Sequence, residues 1–490
     1  MLKYPNIDSY VGKRITIFGA NRSGIAIARL LFDLGAIISL TDTRDSGALA
    51  EEISQLDGLQ LQYYLGGHDA SCIAKAELII VSPGVPLDIP ILVEAKNRDI
   101  PILGELEISA SLCQARIVAI TGTKGKSTTT LMAAAVLEKS NLFSSVVVAG
   151  NIGVPLASIV ATLTKTDIVV LEASSFQLES TNTFCPEVSV VLNFSQDHLD
   201  RHNTMESYFN AKRKICVNQT ESEWIVLNAS DQVVMGLNKD TDAKKAYFTD
   251  NLENGEKELG LLCQRLASRT GARLRNDADN IGIYTFRDNH EHWICNTAEM
   301  PLVGAHNVRN ALASAVIGTI YDVNPTDIRK AILEFNRTHP ALGHAFEKVS
   351  VINGVDYIND SKATNVLATY AALESIKVST NLNENTKRVF LIIGGFDKGN
   401  DYETIIELVY TTVKILILLG EHTQNIQKKL AGCAEMYHAA SMSAAVEFAH
   451  SQATQGDIVL LSPANASFDM YSNYKERGED FRRVVKSLET

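Results

Sequence analysis

The 490-residue sequence has no C-x-x-C pair, and its seven cysteines are scattered at positions 72, 113, 185, 216, 263, 295 and 433. That odd, unpatterned set argues against a zinc knuckle or a disulfide framework and predicts a reduced, cytoplasmic chain. No stretch reaches the ~18–20 apolar residues of a membrane span. Charges also interrupt any apolar core in the opening MLKYPNIDSYVGKRITIFGANRSG, so neither an export signal nor membrane insertion is expected. Basic charge is short too. The 45 Lys and Arg against 57 Asp and Glu leave a net charge of −12, the wrong sign for a nucleic-acid binder. Internal repeats and low-complexity tracts are missing. What remains is 46% hydrophobic and 21% charged, enough apolar material for stable cores. A single core stops growing at roughly 250–300 residues, so two to four domains are expected.

Short β-branched runs alternate with helical patterns: RITIFG (14–19), AIISL (36–40), ELIIVS (77–82), RIVAIT (116–121), SSVVVAG (144–150), DIVVLE (167–172) and VSVVLN (188–193). Such runs read as buried parallel strands with helices on both faces. The rhythm falters from about 240 to 300, around a helix-like ELGLLCQRLASR and a strand pair near 282–296. It resumes in DYINDS, RVFLIIGG, KILILLG and DIVLLS. Three α/β blocks follow, with joints near Pro101–Glu107 and His339–Gly343, where proline and glycine punctuate the chain. In open α/β sheets ligands sit at the carboxyl ends of strands, so the loops after strands carry the chemistry.

The first such loop is Gly19-Ala20-Asn21-Arg22-Ser23-Gly24, and Asp42 ends the next strand. The pattern approaches a dinucleotide fingerprint, but Asn21 replaces the glycine that lets backbone approach a pyrophosphate. A nucleotide held in another pose fits better than NAD, and a tight turn without ligand is the plain alternative. Thr121-Gly122-Thr123-Lys124-Gly125-Lys126-Ser127-Thr128 follows the strand RIVAIT and opens an Ala/Leu-rich helix. It reads as a phosphate cradle in which backbone N–H groups face the anion, Lys126 reaches the β/γ-phosphates and Ser127 holds Mg²⁺. Ile120 stands where the usual pattern has glycine. Glu172, ending DIVVLE, is placed to complete the Mg²⁺ shell. Asn193–His202 is an unusually polar loop whose alternative reading is a merely solvated one.

Taken together, TGTKGKST (121–128), GNIGVPL (150–156), LEASSFQLE (171–179), NFSQDHLDRH (193–202) and AKRKI (211–215) resemble the Mur ligases. NDSKATNV (359–366), GGFDKGND (394–401) and SPANASFDMYSNYKERG (462–478) are similar to the branch of that family that adds D-glutamate. The resemblance implies three α/β domains: 1–106, Rossmann-like, for a UDP-sugar; 107–340, of the P-loop ATPase type, for ATP; and 341–490, Rossmann-like, for the amino acid. The implied reaction joins D-glutamate to UDP-N-acetylmuramoyl-L-alanine through an acyl phosphate, with ATP and two Mg²⁺ ions, in peptidoglycan precursor synthesis. A monomer without nucleic-acid partners is expected.

The same resemblance assigns residues. Lys126, His198 and Lys212 are catalytic; Ser127 and Glu172 hold one Mg²⁺, and His198 with Lys212, carbamylated by CO₂, the second. Gly122, Thr123, Lys124, Gly125, Lys126, Ser127 and Thr128 bind the ATP phosphates, with Asn310, Asp360 and Lys362 as further ATP contacts. Asp42, Thr43 and Arg44 meet the uridine end, Ser82, Pro83 and Gly84 line the same mouth, Ser23 also binds the UDP-sugar, and Asn151 and His198 approach the muramoyl part. Thr364, Lys398 and Ser467, with the backbone at Phe468 and Tyr474, match the D-glutamate site. The sequence departs from the family at four places. Gly343-His344-Ala345 replaces Pro-His-Arg, Asn465 stands where cysteine is common, Asn21 where glycine is common, and the segment around 250–285 is long. Alternatives are a sister ligase for L-alanine, a diamino acid or a polyglutamate tail, and a nucleotide-binding regulatory protein without turnover.

Overall fold

The computed structural model describes residues 7–251, 270–277, 280–288, 290–301, 304–335, 343, 344, 346–380, 382, 386–397, 399–420 and 423–489. By its contacts the chain divides into two units, Met1–Met300 with Arg309–Phe335, and Pro301–Val308 with Asn336–Thr490.

The first unit contains two sheets. The β-branched runs of the N-terminal block form β1 (Arg14–Phe18), β2 (Ile37–Asp42), β3 (Gln62–Leu65), β4 (Leu78–Val81) and β5 (Ile102–Gly104). They pair in parallel in the order β3-β2-β1-β4-β5. Ile15, Ile17, Leu40 and Ile80 pack beneath the helix Arg22–Asp33, whose Ile27 and Leu31 face them. An amphipathic helix over a parallel strand pair is what the period-3.6 pattern between RITIFG and AIISL requires.

The second sheet has nine strands: β6 (Arg116–Thr121), β7 (Val146–Gly150), β8 (Ile168–Glu172), β9 (Val188–Val191), β10 (Trp224–Asn228), β11 (Lys244–Thr249), β12 (Thr270–Asp277), β13 (Asn280–Arg287) and β14 (His290–Asn296). Their order is β14-β13-β12-β11-β10-β9-β6-β8-β7, parallel from β12 to β7 and antiparallel through β12, β13 and β14. The expected strand pair near 282–296 is the β13–β14 hairpin, and β12 extends it to three strands. The expected helix ELGLLCQRLASR and Cys263 lie outside the described residues. The important consequence of the order is that β9, β6, β8 and β7 are neighbours, so the loops leaving them share one edge.

The second unit carries β15 (Glu347–Ile352), β16 (Val355–Asn359), β17 (Val389–Gly394), β18 (Val413–Leu419), β19 (Glu435–Ala439) and β20 (Ile458–Ala464), ordered β15-β16-β20-β17-β18-β19. Only β15 runs antiparallel. Leu391, Ile393 and Leu460 face one core, and Phe390, Ile392 and Leu461 another, as alternate residues of buried strands must. Among the described residues no helix is long and apolar enough to cross a membrane, and six cysteines are free.

Candidate active site

At the carboxyl edge of the N-terminal sheet, Asp42 is buried and organises the mouth. Its carboxylate accepts from the Ala20 amide at 2.8 Å and from the Arg44 amide at 2.9 Å, and it pairs with the Arg44 guanidinium at 3.1 Å. Burial alone would raise this carboxyl, but the bonds from Arg44 and Ala20 outweigh it and hold it below its ordinary range. Arg44 also donates to Asn21 Oδ1 at 2.8 Å. The asparagine that spoils the dinucleotide fingerprint is therefore part of a polar cluster with Asp42 and Arg44. Ser82 Oγ donates to the Gly19 carbonyl at 3.0 Å, while Thr43 and Gly84 are exposed and Pro83 half-buried. Ser23 bonds to the buried carboxyl of Glu105, which also accepts from Gln177 Nε2 at 3.2 Å.

The phosphate loop leaves β6 at Gly122 and ends at Gly125, whose φ of 83° precedes the helix Lys126–Lys139. A side chain at Gly125 would stand 2.5 Å from Asn310 Oδ1, so only glycine lets that asparagine lie against the loop. Asn310 in turn accepts from Thr129 Oγ1 at 3.1 Å. From the strand-end loop after β9, Asn193 clamps the cradle from the other side. Its Oδ1 accepts from the amides of Thr123 and Lys124 at 3.1 and 2.8 Å, and its Nδ2 donates to the Lys124 carbonyl at 3.0 Å. Lys126 folds back to donate to the carbonyls of Gly122 and Thr123 at 3.0 and 3.1 Å. Lys124 pairs with Asp197 at 3.5 Å. Burial works against the Asp197 charge, yet Lys124, His198 and the His198 amide keep its carboxyl low.

Beneath the cradle lie the groups expected to hold metal. Glu172 ends β8 directly beside Ile120 of β6, and it is buried. Its Oε1 accepts from Asn151 Nδ2 at 2.6 Å, whereas Oε2 is enclosed without a hydrogen-bond partner. An uncompensated buried carboxylate oxygen is costly, and a hard divalent cation is the group that satisfies it, so the donor set fits Mg²⁺. Lys212 is 2% exposed, donates to the Gly122 carbonyl at 2.8 Å and to Thr121 Oγ1 at 3.4 Å, and lies 4.8 Å over the Tyr208 ring. Burial, joined by the charge of Lys126, pulls its ammonium well below the usual lysine range, against the opposing pull of Asp197 and Glu172. His198 adopts the left-handed conformation (φ 52°) and packs edge-on to Phe176 at 4.9 Å and Tyr208 at 6.0 Å. Ser127 and Thr128 sit half-buried in the first turn of the helix after the loop.

Two contributors were not assigned roles from sequence. Asn193 was signalled by its place at a strand end and at the head of the polar NFSQDHLDRH loop, without a role of its own. Arg201 reaches from the same polar loop to the carbonyls of Gly84 and Val85 at 3.4 and 2.7 Å, pairs with Glu179 at 3.1 Å and covers the Phe176 ring at 5.6 Å. It thus ties the histidine loop to the Ser82-Pro83-Gly84 turn.

In the second unit, Asp360 is buried, and its two oxygens accept from the Phe346 amide at 2.9 Å and Ser462 Oγ at 2.8 Å. Lys362 donates its amide to the His344 carbonyl at 2.9 Å. Thr364 and Phe468 are exposed, Ser467 is buried, and the Tyr474 carbonyl accepts from Ser361 Oγ at 2.7 Å. Lys398 and Ala345 lie outside the described residues, as does most of the expected His339–Gly343 joint.

Three family models match the chain in order: Mur ligase MurD-like, N-terminal domain over residues 13–104; Mur ligase middle domain over 120–318; and Mur ligase, glutamate ligase domain over 346–465. The UDP-N-acetylmuramoylalanine–D-glutamate ligase of Koribacter versatilis is 37% identical over 478 residues, covering 97% of this chain and 98% of that one. The protein of the same name from Salinibacter ruber is 38% identical over 482 residues, with 97% and 98% covered. The chain belongs to the Mur ligase family. Its three α/β domains are those of that family. A solved Mur ligase, UDP-N-acetylmuramate-alanine ligase from Thermotoga maritima, superposes with a TM-score of 0.57 at 18% identity, covering 97% of this chain and 99% of that chain, and shares the fold.

Proposed function

We propose that this Mur ligase joins D-glutamate to UDP-N-acetylmuramoyl-L-alanine at the expense of ATP, in the cytoplasmic synthesis of peptidoglycan precursors. One observation carries the reaction class: an anion cradle whose floor sets the buried Lys212 and the half-satisfied Glu172 beneath the loop bearing Lys126. Such a floor suits the meeting of two anions. A carboxylate is a poor acyl donor near neutral pH, so its oxygen first attacks the γ-phosphorus of ATP, the bond to ADP breaks, and an acyl phosphate forms. The free amine of the amino acid then attacks the acyl carbon, phosphate leaves, and the amine gives up a proton. Lys126 and the loop amides stabilise the charge gathering on the transferred phosphoryl.

Ser127 and Glu172 would hold one Mg²⁺, and His198 and Lys212 a second. Bound there, Mg²⁺ would offset the negative charge of the phosphates and the incoming carboxylate. A protonated lysine would repel a cation, but a depressed ammonium yields free amine. That nitrogen adds to the carbon of CO₂ and loses a proton, giving an anionic carbamate. Asn310, Asp360 and Lys362 contact ATP; Asp42, Thr43 and Arg44 contact the uridine end, with Ser82, Pro83 and Gly84 lining the same mouth, Ser23 also on the UDP-sugar, and Asn151 and His198 toward the muramoyl group. Thr364, Lys398, Ser467, Phe468 and Tyr474 receive the amino acid, whose two carboxylates call for donors at both ends. The functional domains run 1–106, 107–340 and 341–490. D-glutamate as the amine rests on the names of relatives that match nearly the whole chain.

Phosphate release from ATP, measured with UDP-N-acetylmuramoyl-L-alanine and a panel of amino acids, tests the reading. Release stimulated by D-glutamate alone is expected. Stimulation by another amino acid would reassign the substrate, and no release with any would remove the ligase activity.

A further inference from the structure

Asn465, one of the departures from the family pattern, has two side-chain partners within the second unit. It is fully buried and follows Ala464, which ends β20 with φ 60°. Its Oδ1 accepts from the Tyr402 hydroxyl at 2.9 Å and from Asn400 Nδ2 at 2.5 Å. Both donors belong to the turn after β17. Asp397 braces the same turn, accepting from the amides of Gly399 and Asn400 at 2.9 Å each and from Asn425 Nδ2 at 2.9 Å. Phe396 adds a backbone bond to the Ala466 carbonyl at 2.9 Å. On its other side, the Asn465 carbonyl accepts from Arg477 Nη2 at 3.0 Å, and that buried guanidinium also binds Ser361 Oγ and the Ser361 carbonyl at 3.0 and 2.9 Å. Asn465 therefore links Asn400 and Tyr402 to the end of β20, next to Ser467 and Phe468, and through Arg477 to Ser361 and the helix that opens at Tyr474.

We propose that Asn465 is a positioning residue for the amino-acid site, its amide oxygen holding Asn400 and Tyr402 against the strand end that carries Ser467 and Phe468. This deepens the reading of the C-terminal domain as the one that receives D-glutamate, and rests on it. A cysteine at the same place offers only a weak sulfur acceptor, so Asn400 Nδ2 would keep the Ala464 carbonyl at 3.4 Å alone and the Tyr402 hydroxyl would turn to Asp397 and Asn400, which frees the turn from β20.

The test is Asn465→Cys in the full chain, read by steady-state kinetics and by amide hydrogen exchange over residues 394–405. The expected result is a rise of about tenfold or more in KM for D-glutamate, with KM for ATP and for the UDP-sugar within twofold, and faster exchange at Gly399 and Asn400. Tyr402→Phe should reproduce part of the rise, and the double variant should be no worse than Asn465→Cys alone, as coupled partners behave. Unchanged exchange with unchanged KM would overturn the proposal. An equal rise in all three KM values would overturn it too, since that is the mark of a general structural role. If the unaltered enzyme gives no D-glutamate-dependent release, the substrate assignment falls on its own, and the exchange measurement still decides whether Asn465 holds the turn.

Discussion

Stripping an ammonium of water is costly unless something compensates, and among the described residues Lys212 has one close carbonyl, one distant hydroxyl and the face of Tyr208, with the charges of Asp197 and Glu172 too weak to offset its burial. Its burial was not legible from composition, since a lysine on a helix is ordinarily solvated. Only the resemblance carried by AKRKI singled out Lys212. On the helix Met205–Arg213 the buried residues are Tyr208, Ala211 and Lys212, one face at spacings of three and four. Lys212→Ala should lower turnover at least a hundredfold while the melting temperature stays within a few degrees, and a short carboxylic acid should restore part of the rate. Full activity in the alanine variant would remove Lys212 from the mechanism. Glu105 offers a pH test of stability. Burial raises its carboxyl from an ordinary 4.5 to about 6, against bonds from Gln177 and Ser23. Between those values the folded protein keeps a proton that the unfolded chain has lost, so stability falls as pH rises from about 4.5 to about 6 and is level beyond. The difference amounts to ~2 kcal/mol. Glu105→Gln should therefore be more stable than the unaltered protein by about that amount at pH 8 and nearly equal to it at pH 4.5, as urea titrations at the two pH values would read.

Elements were legible where one residue class dominates. RIVAIT, DIVVLE and VSVVLN became the interior strands β6, β8 and β9 because strands buried on both faces must be continuously apolar. The edge strands β3, QYYL, and β19, EMYHA, escaped notice for the converse reason, and so did the interior β11, KKAYFT, each mixing polar residues into a short run. The tight turn at Gly19–Gly24 was legible, but the Asp42, Arg44 and Asn21 cluster was not, because a spacing of residues does not disclose which side chains satisfy one another. Gly24 is the strictest position in that turn. A Cβ there would lie 1.8 Å from the Gly19 carbonyl oxygen and 2.8 Å from Ser82 Oγ, and backbone cannot yield as a side chain can. Gly24→Ala should cost at least about 3 kcal/mol and weaken binding of the UDP-sugar. Gly84→Ala, where nothing stands within 4 Å, should change stability by less than about 0.5 kcal/mol. Equal denaturation midpoints for the two variants would show that the turn relaxes.

At the scale of the whole molecule, three α/β blocks were legible from the recurrence of strands, whereas the two compact units were not. The helix Ala305–Ile320 explains why. Its contacts assign residues up to 308 to the second unit and those from 309 to the first, so the division cuts through one continuous helix that no linker composition marks. Each unit nonetheless owns separate apolar cores, Val169, Leu171 and Leu227 among others in the first, Phe390, Leu461 and Phe481 in the second. A core that closes within its own unit gives that unit its own unfolding equilibrium, and a single two-state transition is then not expected. The sequence supplies a probe for this. Its two tryptophans, Trp224 and Trp293, both lie in the first unit, so tryptophan fluorescence reports that unit alone while far-ultraviolet circular dichroism reports both. Thermal melts followed by the two signals should not superimpose. Phe481→Ala removes a fully buried ring from the second unit and should cost that unit about 3–5 kcal/mol. It should displace only the part of the dichroism melt that fluorescence does not see, leaving the tryptophan midpoint in place. Coincident melts, both lowered equally by Phe481→Ala, would instead mean that the two units unfold as one cooperative body.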